Sequence, residues 1–143
     1  MTEPAHGAVP ILLYHSVADE PSEFIAPYTV SPATLRRHLD AVAATGATTL
    51  TVSDFLAART AGTLPVRPVL VTFDDGYRDT LTVAAPALAE RGMVATTYIT
   101  TGVVGGSSPG GDPMLTCLRS TGAAWPCSSC RRNVRSPNPR ASP

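Results

Sequence analysis

Two apolar runs constrain this chain most. Val9 to Val17 (VPILLYHSV) is apolar almost without a break up to Tyr14, and Pro68 to Phe73 (PVLVTF) is a second such run. Continuous apolar runs of this length suit strands buried on both faces, which parallel sheets provide. Pro10 falls near the start of its run, where a missing N–H is tolerated. Two further segments, Thr48 to Val52 (TTLTV) and Ala95 to Thr101 (ATTYITT), are rich in β-branched residues and read as strands.

Helical signals separate these runs. Ser31-Pro32 supplies an N-cap followed by proline at the first helical position. Leu35, Leu39 and Val42 then recur on one stripe, and Gly46 is a natural stop, so a helix is predicted over about 32–45. Ser53 is predicted to cap a short helix from Asp54 to Thr60 that Gly62 ends. Thr80 to Arg91 has helical composition and closes at Gly92, but Pro86 must kink or split it. Residues 18–30 read as an acidic, proline-containing loop. The order β-α-β-α-β-α-β predicts an α/β fold with parallel strands.

The 143 residues allow one ordinary domain, and 43% apolar content is enough for a core. No run approaches the roughly 20 apolar residues of a membrane helix. No basic segment followed by an apolar stretch opens the chain, so a cytoplasmic location is expected. Zero net charge argues against nucleic acid as a partner.

That zero is a balance of two parts. Residues 1–116 hold all 11 acids and 6 arginines, whereas residues 117–143 hold 5 arginines and no acid. The second part also contains Cys117, Cys127, Cys130 and the only tryptophan, and has four prolines and five serines in 27 residues. It has too few large apolar groups to offset the entropy of ordering it, and is expected to be disordered. Cys127-Ser128-Ser129-Cys130 has redox or half-zinc-site spacing, but no second pair follows, and chance cysteines are the simpler reading.

In parallel α/β folds, chemistry gathers at the carboxyl ends of strands. His15 ends the first strand, and Asp74 and Asp75 end the Pro68–Phe73 strand, so all three are expected on one rim. Adjacent carboxylates project differently, so one can hold a cation while the other stays free as a base. Gly76 permits close approach of backbone or substrate. Asp and Gly also favour plain turns, so pattern alone leaves a chemical and a structural role open. His15 has the alternative of a satisfied buried histidine, and Tyr14 and Tyr77 read as packing or rim residues. His38 is expected to be partly exposed on its helix.

Val71-Thr72-Phe73-Asp74-Asp75-Gly76-Tyr77 resembles the T-F-D-D-G motif of the polysaccharide deacetylases, the NodB-homology group or carbohydrate esterase family 4. Ile11 to Val17 is similar to that family's opening strand, and Leu88 to Thr101 to its next helix end and strand. The resemblance covers about residues 9–116. It implies the N-terminal part of a distorted (β/α) barrel of seven strands and metal-dependent hydrolysis of N- or O-acetyl groups on a glycan. By resemblance Asp74 is the general base and Asp75 a ligand of a divalent metal such as Zn or Co. His15, Tyr14, Gly76 and Tyr77 are rim or substrate candidates, and an acetylated glycan is the implied partner.

The family completes its metal site with an H-[ST]-x-x-H motif that this sequence lacks. The domain organisation is therefore expected to be a deacetylase-like part, 1–116, and a basic tail, 117–143. The tail's composition matches a shifted reading frame of a GC-rich gene, with a short homologue bearing its own tail as the alternative. The expected function is a deacetylase, truncated and inactive as this chain. The competing readings are a non-catalytic glycan-binding fragment and an Asp-based phosphoryl-transfer enzyme.

Overall fold

The computed structural model describes residues 8–115. The expectations of a disordered tail and for the Cys127–Cys130 pair fall outside the described residues.

The elements are strands β1 (Ile11–Tyr14), β2 (Ser16–Val17) and β3 (Thr29–Val30), helix α1 (Pro32–Ala44), strand β4 (Thr48–Leu50) and helix α2 (Val52–Ala61). Strand β5 (Pro68–Phe73), a π-turn (Thr80–Ala84), helix α3 (Ala85–Ala89) and strand β6 (Thr96–Thr97) follow. β5 is the hub of a parallel sheet in the order β1-β5-β4. Tyr14 pairs with Phe73, and Leu50 with Leu70. β6 pairs with the last two residues of β5, beyond the reach of β4. β2 and β3 form a separate parallel pair. The predicted α/β class with parallel strands is the class observed.

The connections run one way from β1 to β4 and the other way from β4 to β5. Right-handed crossovers therefore place α1 and α2 on opposite faces. The side chains agree. Leu35 and Leu39 of α1 bury fully against Val71, Phe73, Ala84 and Leu88. Val52, Phe55 and Leu56 of α2 instead line the other face with Ile11, Leu13, Leu70 and Thr72. On that second face Ile11, Leu13 and Leu56 stay largely exposed.

Local chemistry explains most boundaries. Ser31 caps α1 by accepting from the Thr34 amide at 3.1 Å, and Pro32 occupies the first turn as expected. The cap of α2 is Thr51 rather than Ser53. Its Oγ1 accepts from the Asp54 amide at 3.1 Å and donates to the Asp54 carboxylate at 2.6 Å. This earlier cap shortens the preceding strand, because Thr51 has left the ladder.

The predicted first strand is interrupted by a bend at His15, and the expected loop 18–30 ends in β3. Pro86 acts as anticipated, though upstream of itself. It has no N–H for an α-type bond and its ring crowds the preceding turn. The backbone widens to a π-turn in which the Ala85 amide bonds to the Thr80 carbonyl. The predicted strand 95–101 contracts to β6 because its partner β5 ends at Phe73: Tyr98 bonds to the Phe73 carbonyl, and Thr100 reaches only the Asp75 carbonyl in the turn beyond.

Candidate active site

Register carries the chain to the site. On β5, Val71 and Phe73 face α1, so Leu70, Thr72 and the next alternate residue, Asp74, face the opposite side. Asp74 is tied to the end of β1 by its amide, which donates to the Tyr14 carbonyl at 2.8 Å. There the strand stops. The Gly76 amide donates to the Asp74 carbonyl at 2.9 Å, closing a three-residue turn around Asp75.

Asp75 sits at φ 68°, and among the described residues it is the only non-glycine with positive φ. Such turns are rare and strained, and non-glycine residues here persist only when their surroundings hold them. The holding contacts are present. Thr100 donates its amide to the Asp75 carbonyl at 3.1 Å, and Leu115 donates to the Gly76 carbonyl at 2.9 Å. Both carboxylates line a cleft of about 560 Å³ with Leu13, Thr72, Tyr98 and Thr100.

Gly76 is needed here for two reasons. Its φ is +83°, and a Cβ would stand 3.2 Å from Cγ2 of Ile99. Gly76→Ala should therefore cost about 1–2 kcal/mol from the left-handed backbone alone. Urea unfolding would check this, with an unchanged midpoint counting against the turn as drawn.

The other sequence candidates separate. His15 lies at the same strand end, but its ring packs against Tyr28, with centroids 5.4 Å apart. Tyr77 is buried with Ile25 and Met114 under the rim, and burial, then Asp75 and Asp112, push its hydroxyl pKa up. Tyr14 is not on the rim. It is a core residue whose ring stacks on Phe73 at 5.3 Å, and burial raises its pKa. Its hydroxyl lies 3.0 Å from His38 Nδ1, which gives that exposed histidine a packing role. Of the packing and rim roles the sequence leaves open for Tyr14, the core position is the one observed, on the same side of β1 as Leu12.

Two acids were not singled out from the sequence. Asp79 accepts from Ser16 Oγ at 2.6 Å, across 63 residues. Asp112 accepts from Ser22 Oγ at 2.6 Å and from Ser108 Oγ at 3.0 Å, joining two rim loops. The Ser16 and Ser22 partners lie 63 and 90 residues away, so these pairings left no mark in the sequence pattern, although Ser108 and Asp112 also close a local turn.

Burial alone would raise the Asp112 pKa, but the Ser22 and Ser108 hydrogen bonds outweigh it and the net shift is downward. A depressed folded pKa contributes stability above the unfolded pKa and loses it as pH falls through the folded one. Asp112→Asn should therefore flatten the decline in urea midpoint below about pH 4, the unfolded aspartate range. An equal decline in both proteins would assign it to other carboxylates.

Residues 61–122, which contain the Asp74-Asp75-Gly76 turn, match the family model described as polysaccharide deacetylase. The chain is similar to the polysaccharide deacetylases. It shares 30% identity with the IcaB structure from Ammonifex degensii (TM-score 0.63), over 76% of this chain and 44% of that one. Against the Streptococcus pyogenes deacetylase PplD, solved in complex with acetate, identity is 28% and the TM-score 0.60, over 73% and 48% of the two chains. A polysaccharide deacetylase from Bacillus cereus gives 27% and 0.59, over 76% and 33%. The chain thus spans less than half the length of these deacetylases. No curated protein sequence matches it. Among the described residues no helix is long and apolar enough to cross a membrane.

Proposed function

We propose that the Asp74-Asp75 turn is the chemical centre of a hydrolase that removes N- or O-acetyl groups from a glycan. The observation that carries the reading is the strained turn itself: two carboxylates at a parallel strand end, facing a cleft, inside the segment that matches the deacetylase family. Backbone strain of this kind concentrates at functional sites. The acetate bound to the Streptococcus pyogenes relative is the product expected of such a reaction.

In this reading Asp74 is the general base and Asp75 a ligand of a divalent cation such as Zn²⁺ or Co²⁺. A catalytic zinc takes three protein ligands and keeps one position open. Among the described residues no group of three His, Cys, Asp or Glu side chains comes together to hold a metal ion. The three histidines of the sequence are His6, His15 and His38, none in H-x-x-x-H spacing. The described donors therefore do not fit such a site.

What Asp74 can do is accept a proton from water as the water oxygen bonds to the acetyl carbonyl carbon. The carbonyl electron pair moves onto oxygen. On its return the bond to the glycan nitrogen or oxygen breaks, that atom takes the proton, and acetate leaves. Tyr98 and Thr100 are the exposed polar groups beside Asp74 that can contact the acetylated sugar.

The test is acetate release from N-acetylated glucosamine oligomers and from acetylated xylan with added Zn²⁺ or Co²⁺. These 143 residues alone should release none. Joined to a segment carrying the paired histidines, they should release it. Metal-dependent release by the 143 residues alone, lost in Asp75→Ala, would show the described donors to be sufficient after all. The missing donor group also favours a second reading, a non-catalytic glycan-binding fragment. That reading requires oligomer binding with no acetate released by either protein.

A further inference from the structure

Asp79 has no role in the chemistry above, yet it is placed where a carboxylate is costly. Its Oδ1 is buried and has no hydrogen-bond partner, as is the Oγ1 of the adjacent Thr80. Its Oδ2 takes the hydroxyl of Ser16, itself 3% exposed. Burial raises the Asp79 pKa, while the Ser16 hydrogen bond and nearby Val17 and Thr80 amides oppose the rise. Leaving a buried polar atom unpaired costs about 1–3 kcal/mol. A cost of that size calls for an offsetting role.

The two ends of the Ser16–Asp79 bond suggest one. Ser16 immediately follows His15, at the bend where β1 ends. Asp79 lies four residues after Asp75, in the first turn of the segment that leaves the strained turn and leads into the π-turn.

We propose that Asp79 is a positioning residue for the candidate site: through Ser16 it clamps the strained Asp74-Asp75-Gly76 turn to the bend that carries His15. The clamp works by accepting the Ser16 hydroxyl. Asparagine, which keeps an acceptor oxygen, should therefore replace Asp79, whereas alanine should not. The proposal rests on Asp74 and Asp75 being the functional carboxylates. Its test reads the geometry of the turn and not turnover, so either idea can fail without the other.

The experiment is amide hydrogen exchange on the full chain as wild type, Asp79→Ala, Asp79→Asn and Ser16→Ala. The reporters are Asp74, Thr100 and Leu115, whose amides bond to the Tyr14, Asp75 and Gly76 carbonyls. The reference is Leu70, whose amide bonds to the Pro10 carbonyl at the far end of the sheet. Asp79→Ala and Ser16→Ala should each lower reporter protection about tenfold more than they lower that of Leu70, as expected for one lost hydrogen bond. Asp79→Asn should keep the wild-type ratio. Reporter and reference falling by one common factor would mean that Asp79 serves global stability only, and would overturn the proposal. So would unchanged reporters in Ser16→Ala, the variant that decides if Asp79→Ala does not fold. Loss in Asp79→Asn equal to that in Asp79→Ala would also contradict the acceptor role.

Discussion

Phe73→Ala is expected to unfold this domain or bring it close to unfolding. Phe73 is fully buried where the sheet meets α1, and its ring is the platform on which Tyr14 stacks. Truncating a buried phenylalanine costs about 3–5 kcal/mol, from lost transfer energy and the cavity left behind. Whole domains hold only about 5–15 kcal/mol. The loss propagates because Tyr14 would lose its ring contact while its hydroxyl remains on His38. Urea unfolding followed by circular dichroism would measure it. Leu56→Ala is the control, since Leu56 is 55% exposed on the opposite face and should change stability little. Equal losses in the two variants would mean that the core is wrongly placed.

The contrast between Phe73 and Leu56 also shows where the sequence was readable. β5 is a buried run with a motif at its end, and both strand and strand end were legible because continuous apolarity leaves few other options. The Ser31-Pro32 cap and the Gly46 stop of α1 were legible for a similar reason, being local chemistry. Failures came where tertiary partners decided. His15 breaks its strand, and the Ser16 side chain that follows the bend is held by an acid 63 residues away. For Tyr14 the pattern leaves packing and rim roles open, and its contact with Phe73 in the core selects packing. Thr51 displaced Ser53 as a cap because both are good caps and spacing alone could not rank them.

For the site, the Asp74-Asp75-Gly76 turn could be named from sequence, but its strain could not. Nothing in the residue pattern shows that Asp75 takes a left-handed backbone, because aspartate tolerates it only when neighbours such as Thr100 and Leu115 hold it. Asp79 and Asp112 were equally silent, since each is defined by a serine far away in sequence.

The second large effect concerns Asp74. In the deacetylase reading it accepts the proton of the attacking water, and a positioned general base contributes about 10²–10⁴-fold. Asn is nearly isosteric and keeps the β5 strand end, because the tie to Tyr14 is made by the Asp74 backbone amide rather than its side chain. The variant should therefore fold normally while losing the proton acceptor. In the protein joined to a histidine-bearing segment, with Asp75 as a cation ligand, Asp74→Asn should leave cation affinity in place and remove turnover. Asp75→Ala should remove both.

The decisive measurement is acetate release from N-acetylated glucosamine oligomers by residues 1–116 joined to a histidine-bearing segment, with Asp74 intact or changed to Asn. The intact protein should release acetate only with added Zn²⁺ or Co²⁺, and Asp74→Asn should lower that rate at least about 10²-fold at unchanged cation affinity. Release at the same rate from both proteins would contradict the assignment of Asp74 and, with it, the reading of this turn as the chemical centre.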